Sequence, residues 1–255
     1  MRTSQESGVL NFIAGFKELI TNVVSLRDSF NPKPDRIKTE NLQALLAQAN
    51  QLQAEVDAAD GIYRNAVSAR KAVYQPIPKL ATRINNAFAI TDADANLKVT
   101  VKAITAKFRS SRKKNTDEAT TTTNAATAAM NSASGEATTT KKPKTHSTAQ
   151  TGFDNTLGHL KRMVSIAETV RSYDPAETDL TITSIKSVIS SCDQANLQVI
   201  EAANVYNTAR DRRDDFLYNK TTGLVVIGKD VKTYVKSAYG PNSDIAKRIL
   251  SIRLS

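Results

Sequence analysis

Two residue pairs carry most of the chemistry in this chain: Tyr63 with Arg70, and Tyr206 with Arg213. Seven residues on a helix return nearly to the same angular position two turns along, so each pair places a phenol and a guanidinium on one face. A guanidinium can grip a carboxylate or phosphate through two parallel hydrogen bonds, and a nearby phenol adds a further donor. The same positions also suit packing, with the Tyr hydroxyl at the edge of a bundle and the Arg stem laid along a helix seam. Other constellations are sparse. His146 and His159 have no metal-ligand spacing, Cys192 is the single cysteine, and no Gly-rich phosphate loop, Glu-x-x-His element or nucleophile elbow occurs. A protein without catalytic residues, metal or cofactor is expected.

The basic residues suggest a second chemistry. Arg112, Lys113 and Lys114 stand at one end of a polar stretch, Lys141, Lys142 and Lys144 at its other end, and Lys232 and Lys236 near the C-terminus. A net charge of +10 permits attraction to polyanions, and such contacts would weaken steeply with salt. No aromatic residues interleave with these lysines for base stacking, so weak, non-specific nucleic-acid binding is the alternative reading and not the leading one. The run from Arg210 to Asp215 mixes both signs densely, with Arg210 and Asp214 four residues apart as in weakly stabilising helical ion pairs. A solvated face is expected there.

The elements that must position these residues come in two matching sets. Ser29-Phe30-Asn31-Pro32 returns as Ser172-Tyr173-Asp174-Pro175, an offset of 143. At that offset Leu42, Leu45, Ala49, Val56, Ala59, Tyr63 and Arg70 answer to Ile185, Val188, Cys192, Val199, Ala202, Tyr206 and Arg213. A period of this kind marks a repeated supersecondary unit. Each set begins with a helix whose apolar residues recur at three and four, Leu10 to Val24 in the first, which is expected to end near Ser29, and Phe153 to Val170 in the second, each stopped before Pro32 or Pro175. A long helix follows, from about Thr39 to Tyr74 and from about Asp179 to Tyr218. Gln75-Pro76-Ile77-Pro78 and Thr221-Thr222-Gly223 then turn the chain into a third helix, about Lys79–Ile90 and Leu224–Tyr239. In the last element the copies disagree: Leu97, Val99 and Val101 alternate as in a strand, while Ile245, Ile249 and Ile252 recur as in a helix. Because homologous repeats share a fold, a helix is expected for both, over about Asp94–Phe108 and Ser243–Leu254.

Residues 110–151 differ in character, being rich in Thr, Ala and Lys and nearly without bulky apolar side chains. A segment that buries little apolar area cannot offset the entropy of ordering, so a flexible linker is expected between repeats at 1–109 and 152–255. With 5% aromatic residues, no Trp, 9 Gly and 7 Pro, the composition favours closely packed helices over a turn-rich sheet protein. No leader peptide or spanning segment is read in the chain, which predicts a soluble, cytoplasmic protein.

The segment from Gly223-Leu224-Val225 through Tyr239-Gly240, followed by Ser243 and Ile252-Arg253-Leu254, resembles the ending of a family of uncharacterised helical proteins from Bacteroidota-type bacteria. The resemblance covers about the last 75 residues and, more loosely, the first copy, which lacks the Gly-Leu-Val turn. It implies a bacterial helical protein and supplies no activity. The expected fold is all-α, a tandem duplication of a three-to-four-helix unit packed as antiparallel, coiled-coil-like bundles about a pseudo-twofold axis. The expected function is a structural or protein-interaction role, through self-association or bridging of partners. Binding of a small ligand at the Tyr/Arg pairs is a further alternative.

Overall fold

The computed structural model describes residues 4–108 and 152–254. Every regular element among them is helical: α1 Ser4–Val24, α2 Thr39–Tyr74, α3 Ile77–Ala89, α4 Ala95–Lys107, α5 Phe153–Glu168, α6 Ile182–Tyr218, α7 Leu224–Tyr239 and α8 Asp244–Ser251. The all-α class expected from sequence is therefore observed. Single-turn 3-10 segments at Asp35–Ile37 and Thr178–Leu180 lead into the two long helices. Residues 110–151, where the linker was expected, lie outside the described residues.

Local chemistry explains the element boundaries. Pro76 and Pro78 flank the start of α3, where a missing amide hydrogen costs least. The Asp94 carboxylate accepts from the Asn96 amide at 2.7 Å and caps α4. That cap, together with burial of Val101, Ile104 and Thr105 on one face, overrides the local alternation and makes the segment a helix. Ser243 caps α8 through the Ala246 amide at 3.1 Å. Three boundaries differ from expectation by three residues or more. Helix α1 stops at Val24, α6 starts at Ile182 because Asp179 belongs to the preceding 3-10 turn, and α8 ends at Ser251.

The chain forms two compact units, and their limits are not the sequence limits 1–109 and 152–255. One unit comprises Met1–Lys71 with Gln194–Ser255, the other Ala72–Asp193. The core of the first joins Phe12, Phe16 and Leu19 of α1, Leu42 and Ala49 of α2, Leu217 of α6, Leu224 and Val231 of α7, and Ile249 of α8. The core of the second joins Tyr74 of α2, Ile84 and Phe88 of α3, Ile104 of α4, Leu160 and Met163 of α5, and Ile185 and Cys192 of α6. Within the first unit α1 packs on α8, and within the second α5 packs on α3 and α4. Each first helix is thus covered by the closing helices of the other half of the chain. Length explains why each long helix takes part in both cores. At 1.5 Å per residue the long helices extend about 55 Å, against roughly 20–24 Å for α3 and α7, so one set of short helices cannot cover a long one from end to end.

Candidate functional site

Tyr63 on α2 and Tyr206 on α6 belong to the first unit and meet there, their rings stacked with centroids 6.1 Å apart and planes 6° from parallel. The Arg210 guanidinium lies 5.6 Å from the Tyr206 ring centre, within range of a cation–π contact. Arg64 donates to Asp60 at 2.6 Å on the neighbouring turn of α2. Both tyrosines are half-buried, and beside them in sequence Ile62 and Val205 stand 58% and 55% exposed. Leu197 and Ile200, on the same stretch of α6, are 53% and 58% exposed. Large apolar side chains left in water within one stretch of two helices call for an explanation in a way that scattered ones do not.

The arginines behave differently from the tyrosines. Arg213 is 0% exposed. Its Nη1 donates to Gln53 Oε1 at 3.1 Å, and its Nε and Nη2 donate to Asp214 Oδ1 at 2.9 and 2.8 Å. The spacing that aligns Arg213 with Tyr206 also aligns it with the buried seam, so its donors are spent inside the protein. This corrects its assignment as a residue open to a partner, and takes it out of the solvated face expected at 210–215. Arg70 is half-buried on α2. The partner that sequence reading missed is Gln53, 7% exposed. Its signal was a polar residue on the apolar stripe between Ala49 and Val56.

Among the basic candidates, Lys232 is already engaged. Its Nζ donates to the carbonyls of Ile252 and, at 3.3 Å, Leu250, at the end of α8. Burial, followed by repulsion from Lys236, lowers its pKa below the usual lysine value. That satisfies terminal carbonyls of a helix and corrects Lys232 as a free phosphate contact, whereas Lys236 is exposed. Arg112, Lys113, Lys114, Lys141, Lys142 and Lys144 lie outside the described residues. Cys192 is fully buried, and its thiol pKa is raised, chiefly by desolvation. His159 packs edge-on against Phe108 with centroids 5.9 Å apart, and burial, Lys107 and Arg162 lower its pKa. Among the described residues no group of three His, Cys, Asp or Glu side chains could hold a metal ion, and no helix is long and apolar enough to cross a membrane.

Two grooves occupy matching places in the units. One, of about 400 Å³, is lined by Arg36, Asn41, Leu45, Thr222 and Ile227. The other, of about 570 Å³, is lined by Asp179, Ser184, Val188, Pro76 and Leu80. Each runs between the first turns of a long helix and the start of the short helix packed beside it. Comparison with models of known families, with characterised proteins and with solved structures yields no match.

Proposed function

We propose that the chain is a non-enzymatic helical scaffold, a tandem duplication whose halves exchange their closing helices and which associates through the exposed middle of its long helices. Four kinds of correspondence support the duplication. In the long helices Leu42 and Ile185, Ala49 and Cys192, and Val56 and Val199 are buried alike. Phe16, Leu19 and Val23 of α1 match Leu160, Met163 and Ala167 of α5, and Ile77, Ile84 and Phe88 of α3 match Leu224, Val231 and Val235 of α7. Tyr63 touches its own counterpart Tyr206, the kind of contact that a twofold relation between antiparallel halves places on its axis. The two grooves repeat at corresponding residues.

The observation that carries the functional reading is the set Ile62, Leu197, Ile200 and Val205, each more than half exposed on the stretches of α2 and α6 that also carry the stacked tyrosine pair. Apolar area left in water is the driving force for association, and flat aromatic pairs with apolar neighbours are typical interface anchors. Light scattering after size exclusion tests this. The native chain is expected to show a mass that rises with concentration above the 27.7 kDa monomer. Ile200→Glu with Val205→Glu is expected to hold it monomeric with unchanged helical circular dichroism. A native chain that stays monomeric up to millimolar concentration would overturn self-association.

A further inference from the structure

The two halves carry opposite charges at corresponding places. Arg36 precedes buried Ile37 in the 3-10 turn before α2, and Asp179 precedes buried Leu180 in the turn before α6. Arg83 precedes buried Ile84 on α3, and Asp230 precedes buried Val231 on α7. Arg36 pairs with Asp230 at 3.1 Å inside the first unit. Arg83 donates to Asp179, with Nη2 to Oδ1 at 3.1 Å, inside the second. Each pair therefore joins the turn of one half to the third helix of the other. Were either half to close on itself, Arg36 would meet Arg83, and Asp179 would meet Asp230.

The reversal extends through the two turn segments. The turn segment of the first half carries Lys33, Arg36 and Lys38 against Asp35 alone, and that of the second carries Asp174, Glu177 and Asp179 with no base. Helix α3 carries Lys79 and Arg83 and no acid, so the acidic turn packed against it is the complementary cover, and the first half's own turn would repel it. Helix α7 is basic overall as well, with Lys229, Lys232 and Lys236 against Asp230, so on the third helices the reversal is confined to Arg83 and Asp230, and the Lys232 ammonium is turned to the α8 carbonyls.

We propose that Arg36, Arg83, Asp179 and Asp230 form a pairing code by which each half of the chain recognises the opposite half and rejects its own kind. The side chains are partly exposed, 60% and 30% in one pair and 49% and 54% in the other, and a single such pair is a weak attraction. Selectivity comes from the difference between two attractions in the exchanged arrangement and two repulsions in the closed one. The code rests on the duplication proposed above only for the equivalence of positions.

The test uses the full chain with Cys192→Ala and spin labels at exposed, uncharged positions. Ala14→Cys with Ser251→Cys reports α1 beside α8, and Ala14→Cys with Ala103→Cys reports α1 beside α4. Arg83→Asp with Asp230→Arg inverts the code at constant net charge, making both exchanged pairs repulsive and both closed pairs attractive. Reversing all four residues restores it. The inverted variant is expected to shift a tenth or more of the molecules to the short α1–α4 distance. It is also expected to melt several degrees lower at about 20 mM salt, with the loss shrinking at about 1 M as screening takes over. The fourfold variant should return both readouts to native, and its recovery supports the code even if the inverted variant fails to fold. Native distances and melting in the inverted variant at low salt would overturn the code, as would a fourfold variant that fails to recover. Light scattering on the same proteins reads self-association separately, so the two proposals can fail independently.

Discussion

Arg213 is the residue whose chemistry changes most between the sequence and the folded chain. In sequence it is a cation in a charged run, and in the structure it is wholly enclosed, bonded to Gln53 and Asp214. Truncating one member of a buried polar pair leaves the other without compensation. Arg213→Ala is therefore expected to cost about 2–4 kcal/mol, read by chemical denaturation, whereas Arg212→Ala at the exposed neighbouring position stays within about 0.5 kcal/mol. Equal effects would mean that the buried bonds contribute nothing. The tyrosine pair was legible in sequence as matched residues, but not as residues that touch each other. A shared helix face says which way a side chain points and leaves open what arrives to meet it.

At the scale of elements the sequence was most readable where hydrophobic period and stop signals agreed. Helix α2 was expected and found from Thr39 to Tyr74, and α7 from Leu224 to Tyr239. The fourth element was less readable, because Leu97, Val99 and Val101 alternate like a strand and only Val101 of the three is buried. Close approach between elements was not readable at all. A Cβ added at Gly15 would lie 2.3 Å from the Arg253 carbonyl oxygen, so the absent side chain is what lets the C-terminal backbone cross α1. Gly15→Ala is expected to destabilise the fold by about 1–3 kcal/mol through overpacking. Gly8→Ala in the same helix meets nothing within 4 Å and is expected to be neutral or mildly stabilising. Thermal melting of the two variants distinguishes a steric requirement from a general intolerance of change in α1.

For the whole molecule, the compact units have a consequence that the sequence division reverses. A chain ending after Asn219 lacks α7 and α8, whose Leu224, Val231 and Ile249 share a core with α1. Hydrogen exchange is expected to show lost protection over Val9–Val23 and retained protection over Leu157–Ala167, although α5 is the nearer in sequence to the deletion. Loss confined to α5 would contradict the exchanged cores. The sequence by itself determined the helices, the main stops between them and the stripes to be buried, because periodicity, proline and capping act over a few residues. Only the tertiary structure decided which half covers which stripe. Apolar burial is non-directional and names no partner, so the opposite signs of Arg36 and Asp230 acquire meaning only once the chain has brought them together.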